Sequence, residues 1–240
     1  MRLTVIVLMV LVASLAWADP RIVAKGETGF GSAQYEWEPL KEVVIKWQQL
    51  PLLDGNGISS EWRTYDDWLT ESADDFYCEG GHPIVAVEWW GIERDDPAIT
   101  HFMVRFYSDV PAPPFSHPGD LLYEQAVYDW TEEPVARVDV DYHYSAELPV
   151  AFEQVAGNIY WISIQAVHTE DARQWFWKEC IPDDYWNDEG VIRAPGAGIP
   201  DWTPISDAIG SHMELAFVLY ADVMSPVNET TWGSIKAMFD

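Results

Sequence analysis

The chain has 240 residues, 48% of them hydrophobic, with 14 tryptophans, and its 40 acidic against 13 basic side chains give a net charge of −27. Such a surface repels bare nucleic acid and anionic membrane, while cations and neutral ligands meet no such barrier. Acidity of this order opposes collapse, but the apolar and indole content supplies a core, so the charge reads chiefly as a solubility device.

In chain order, Arg2 precedes an apolar run from Val5 to Val12, and Ala16-Trp17-Ala18 stands before Asp19 and Pro20. A positive start, an apolar stretch too short to span a bilayer and small residues in an A-x-A pattern predict a secretory signal peptide over residues 1–18. The expected location is secreted or extracytoplasmic: periplasm, cell surface or medium. No cysteine marks the cleavage site for a lipid anchor, and no second apolar run reaches bilayer length. Residues 19–42, polar and carrying Gly26, Gly29 and Gly31, read as a flexible leader.

From residue 43 to 223 the pattern is short apolar or alternating runs separated by turn residues. Strands are expected at Val43 to Trp47, Ile84 to Trp90, Phe102 to Tyr107, Leu121 to Val127, Val138 to Tyr144, Ile159 to Val167, Gln174 to Trp177 and Leu215 to Tyr220. Alternation puts Phe102, Val104 and Phe106 inward, with Met103 and Arg105 outward; it puts Tyr142 and Tyr144 on one face, with Asp139, Asp141 and His143 on a wet one. Breakers fall at Asp54-Gly55-Asn56-Gly57, Gly80-Gly81, Pro111 to Pro118 and Ala194 to Pro204. The predicted fold is all-β, a single antiparallel, jelly-roll-like β-sandwich. One short helix is predicted over Trp62 to Leu69 and another, Thr231 to Phe239, in the tail of residues 224–240.

Cys78 and Cys180 are the only cysteines. In an exported chain they either close a disulfide or stay as two buried thiols, and export favours the bridge. A bridge would close a loop of roughly 100 residues, worth about 4.7 kcal/mol on the chain-entropy model.

Several segments taken together carry a resemblance: Lys46-Trp47, Asp74-Asp75-Phe76-Tyr77-Cys78, Val87-Glu88-Trp89-Trp90-Gly91, Phe106-Tyr107-Ser108-Asp109, Pro118-Gly119-Asp120-Leu121-Leu122, Ile159-Tyr160-Trp161-Ile162, Trp175-Phe176-Trp177-Lys178 and Trp186-Asn187-Asp188. In this order, over about residues 43 to 223, the chain resembles an uncharacterised domain family of tryptophan-rich secreted bacterial proteins. The resemblance implies a β-sandwich and brings no catalytic residues.

Chemistry-bearing patterns are sparse. No G-x-S-x-G elbow and no H-E-x-x-H occur, and the six histidines are scattered. Paired carboxylates, as in glycoside hydrolysis, remain open among so many acids, with Glu88 beside Trp89 and Trp90 the most conspicuous. Calcium is the metal this chain would take, with candidate clusters at Asp74-Asp75, at Asp95-Asp96 and at Asp183-Asp184 with Asn187-Asp188; Asp183, Asp184 and Asp188 are the ligands expected, although the D-x-D-x-D-G spacing is absent. Trp175 and Trp177 alternate onto one face and Trp186 follows, a set that could stack on sugar rings. The expectation is therefore a non-enzymatic extracytoplasmic module, glycan-binding through Trp175, Trp177 and Trp186, needing no cofactor beyond a structural calcium. A cell-surface protein retained by its C-terminal tail and a glycoside hydrolase are the alternatives.

Overall fold

The computed structural model describes residues 22–24, 43–95, 98–135, 141–169 and 174–222. The predicted signal peptide, most of the leader, Asp139 and the tail helix lie outside them. The described strands run β1 (Val23–Ala24), β2 (Val44–Gln49), β3 (Gly57–Ser59), β4 (Glu61–Arg63), β5 (Trp68–Leu69), β6 (Glu71–Tyr77), β7 (Ile84–Arg94) and β8 (Ile99–Val110). Then come β9 (His117–Val127), β10 (Thr131–Pro134), β11 (Asp141–Phe152), β12 (Ile159–His168), β13 (Gln174–Lys178), β14 (Val191–Ala194), β15 (Ile199–Pro204), the single-turn helix α1 (Ile205–Ile209) and β16 (Phe217–Ala221).

These form two eight-stranded sheets, each built round a long strand that forks its sheet. In the first, β7 pairs along one edge with β11, which carries β10. Its other edge is shared by β16, which leads to β2, and by β13, which leads to β3 and β1. In the second, β12 pairs on one side with β8, which carries β9, and on the other with β6 and, in parallel, β4. β6 continues to β14 and β15, and β4 to β5.

The core lies between the sheets because alternation sends one face of each central strand there. Val87 and Trp89 of β7, Phe102, Val104 and Phe106 of β8, Ile162 and Ile164 of β12 and Trp175 and Trp177 of β13 form a single fully buried cluster. Aromatic packing is specific: Phe106 stacks on Phe152 at 4.3 Å, and Trp89 on Tyr144 at 5.5 Å. Gly91 is needed where β7 meets β13, since a Cβ there would lie 2.6 Å from Cε2 of Trp175.

The outward face of the first sheet is also covered. Ala86, Trp90, Cys180, Val218 and Tyr220 are buried beneath the half-buried Leu50, Leu53 and Tyr185. Polar groups are trapped in that layer. Lys178, 1% exposed, gives its ammonium to Asp141 Oδ2 at 2.5 Å and to the Leu53 and Gly55 carbonyls at 3.1 and 3.0 Å. Glu88 accepts from Tyr220 Oη at 2.9 Å and lies 3.1 Å from His143 Nε2. Asp141 and His143 are thus not on a wet face, because a second layer of loops closes over what alternation alone marks as outside.

Several other expectations are corrected. Part of the leader is a strand, β1, whose pairing with β3 is extended by the Ser59 N–H donating to the Ile22 carbonyl. Trp62 to Leu69 is a β4–β5 hairpin rather than a helix: Asp67 adopts φ 55°, a left-handed residue that turns the chain back. Ala194 to Pro204 is the turn and return strand of the β14–β15 hairpin. Cys78 and Cys180 are separate free thiols, each fully buried and packed in a different apolar cluster, so the predicted bridge is absent.

Candidate functional site

The segment that follows β13 crosses one end of the sandwich, and its acidic and amide side chains fix it there. Asp184 Oδ2 takes the Leu50 N–H at 2.7 Å. Asp188 Oδ2 takes the Ser116 N–H and hydroxyl, at 3.0 and 2.5 Å, from the turn before β9. Glu189 accepts the Ser206 N–H at 3.1 Å and its hydroxyl, at the start of α1. Between these anchors Asn187 sits at φ 54°, a conformation asparagine tolerates, and its amide reaches Asp75 Oδ2 at 2.6 Å.

Beneath the segment three carboxyl groups are packed together. Asp74 and Asp75 of β6 are fully buried, and Glu214, just before β16, is 2% exposed. Burial, joined by the nearby charges of Glu214 and Asp75, holds the Asp74 carboxyl well above the ordinary range even though the Leu215 and Asp75 N–H groups favour its charged form. Burial pushes Asp75 up to about 8 against the opposing Asn187 amide and Asp188 N–H. Glu214 is raised to about 7, burial again dominating over the hydrogen bonds from the Trp186 N–H, 2.7 Å, and the Gln49 amide, 3.0 Å. The same burial and acidity push the Cys180 thiol up, which leaves it a poor nucleophile.

Beside the acids stands a group of half-buried aromatic rings. Trp47 of β2 and Trp186 meet edge to face at 5.0 Å, and Tyr77 lies 6.2 Å from Trp186. Three buried polar atoms here have no hydrogen-bond partner among the described residues: Trp47 Nε1, Gln49 Oε1 and Asp75 Oδ1. At the rim His212, 51% exposed, tilts against Tyr185 at 4.9 Å. Its two ring nitrogens lie 3.5 Å from Glu189 Oε2 and Glu214 Oε1, one to each carboxylate.

The sequence-predicted site is only partly realised. Trp175 and Trp177 are fully buried, the first packed on Phe102 at 5.4 Å and the second donating its indole N–H to the Ala216 carbonyl at 2.9 Å. Neither can stack on a ligand. Their alternation marks a core face, not a platform, because β13 lies inside the first sheet. Trp186 alone of the three reaches the surface, and its ring neighbours are Trp47 and Tyr77 from distant parts of the chain. The predicted calcium ligands also separate. Asp183 is exposed, while Asp184 and Asp188 are engaged with Leu50 and Ser116. Among the described residues no three His, Cys, Asp or Glu side chains are placed to hold a metal. Gln49 and Glu214 carry no sequence signal; Asp75 stands in the Asp74-Asp75 doublet, a candidate calcium cluster in the sequence, and is instead a buried carboxyl hydrogen-bonded to the Asn187 amide.

Fold and site together define an all-β two-sheet sandwich with a carboxyl-rich, aromatic-edged cluster at one end. The family model that matches, over residues 45–220, is described as "Domain of unknown function (DUF7901)", and the chain belongs to that family. Nothing among curated proteins or solved structures matches it.

Proposed function

We propose that this protein is an exported, non-enzymatic glycan-binding module whose contact surface is the Trp47, Tyr77 and Trp186 group. The observation that carries the reading is the partial exposure of these three rings beside hydrogen-bonding groups of the Asn187 segment. Indole faces take the C–H faces of sugar rings, while amide and carboxyl groups fix the hydroxyls. Tryptophan fluorescence titration against a panel of soluble oligosaccharides tests it. A glycan that shifts the emission should lose about tenfold in affinity on Trp186→Ala, near the value of one good ring contact. No shift with any glycan, or identical affinity for Trp186→Ala, would overturn it.

A second reading, glycoside hydrolysis, is favoured by one observation: Glu214 titrates near 7, the range that suits a general acid. That reading requires release of reducing ends from an oligosaccharide, abolished by Glu214→Gln. Binding without release would leave the module reading in place.

A further inference from the structure

Each ring of the proposed contact group is tied to the carboxyl cluster. Trp47 and Gln49 lie two apart on one face of β2, and the Gln49 amide donates to Glu214 Oε2 at 3.0 Å. Tyr77 and Asp75 lie two apart on one face of β6, and the Asn187 amide donates to Asp75 Oδ2 at 2.6 Å. Trp186 gives its own N–H to Glu214 Oε2 at 2.7 Å. Asp75 and Glu214 therefore join β2, β6 and the Trp186 segment at the point where the three rings meet.

The groups facing these two acids are mostly acids themselves. Asp74 faces them from β6, Glu179 and the Cys180 thiol from the chain after β13, and Asp184, Tyr185, Asp188 and Glu189 from the crossing segment. Among the described residues His212, 3.5 Å from Glu214 Oε1, is the one side chain paired with the cluster that can carry a positive charge. Lys46 gives its ammonium to the Gly80 and His82 carbonyls at 3.2 and 2.8 Å, and Lys178 gives its own to Asp141. Buried carboxyl groups so short of cations stay uncharged by holding protons. We propose that the Trp186 segment is a pH-sensitive latch, which closes over the cluster and gathers the three rings as the acids take up protons, and lifts as those protons leave. This rests on the ring group named above and adds its regulation. In the closed state Glu214 titrates near 7 against an ordinary 4.5, and Asp75 near 8 against 3.8. Protons therefore favour closure, and the advantage is lost as the pH rises through these intervals. The stretch that lifts is bounded by the bonds of Asp184 to the Leu50 N–H and of Asp188 to Ser116.

Amide hydrogen exchange of the protein, followed residue by residue by NMR from pH 5 to 8 and divided by the intrinsic exchange rate at each pH, tests the latch. Protection of the Trp186 N–H should fall by up to about tenfold per pH unit for each carboxyl that releases its proton. It should stay below the protection of Trp89, which lies in the centre of β7, is paired on both sides and opens only with the whole fold. Glu214→Gln and Asp75→Asn each keep an acceptor and cannot ionise, so each should make the Trp186 profile shallower, the first up to about pH 7 and the second up to about pH 8. Trp186 protection that does not change with pH would overturn the latch, as would protection equal to that of Trp89 throughout, or profiles in both variants as steep as in the wild type. The wild-type profile decides the matter even where a variant fails to fold. Exchange needs no glycan: a pH-dependent Trp186 with no glycan shifting the fluorescence would overturn the glycan reading and leave the latch, whereas glycan binding with flat protection would overturn the latch alone.

Discussion

Asp75 makes the protein less stable as the pH rises. Its carboxyl titrates near 8 in the folded chain against an ordinary 3.8, so between these values the native state holds a proton that the unfolded chain has released. The favourable state is fully present below about pH 4 and is lost progressively as the pH climbs to about 8. At 1.36 kcal/mol for each pH unit of that interval, ionising Asp75 in the fold costs about 6 kcal/mol at most relative to the unfolded chain. Asp75→Asn keeps the shape and an acceptor for the Asn187 amide but cannot ionise. Urea unfolding followed by tryptophan fluorescence at pH 5, 6, 7 and 8 should give a wild-type stability that falls more steeply than that of the variant. The excess slope should approach 1.36 kcal/mol per pH unit in the middle of the range. General repulsion among the 40 acids acts on both proteins and cancels in the comparison. Parallel stability curves for the two proteins would refute the reasoning.

Lys178→Met should cost about 3–5 kcal/mol, because the Asp141 carboxylate loses its 2.5 Å ammonium partner in a buried layer. Lys178→Met combined with Asp141→Leu should recover most of the loss in the same urea assay, and a neutral single variant would contradict the pairing. With Cys78 and Cys180 both free and buried, a thiol reagent should find two thiols in the unfolded protein and none in the native one. Adding a reductant should leave Tm unchanged, and a drop of several degrees would contradict the separation of the two cysteines.

Each of the eight strands expected from alternation has a counterpart among the described residues, Val138 to Tyr144 only from Asp141 onward, because segments such as Ile84 to Trp90, Phe102 to Tyr107 and Ile159 to Val167 carry apolar side chains on at least one face. β6 escaped notice for a physical reason. Its sequence, Glu71 to Tyr77, holds three carboxylates, which normally mark a solvated turn, yet six of its seven residues are buried. Glu71 is satisfied there by Arg193, Arg105 and Tyr107, and Asp74 and Asp75 are enclosed by the Trp186 segment and Glu214. The Trp62 to Leu69 segment reads as a helix on spacing alone, but Asp67 in the left-handed region and the pairing of Trp62 with Leu69 make it a hairpin. The site was legible at one residue of its aromatic group, Trp186. Trp47 and Tyr77 stand far off in sequence, and no local pattern links them.

Local patterning determined the strand faces, the all-β class and the acidic surface, since each depends on side chains next to one another along the chain. Which tryptophans are wet and which carboxyl groups keep their protons was decided by the tertiary structure. Trp175 is buried because β13 pairs inside the first sheet, and Trp186 is half exposed because its segment crosses the end of the sandwich. Asp75 and Glu214 are 139 positions apart, and only the closure of β6 against the chain leading into β16 removes both from water and raises their affinity for protons.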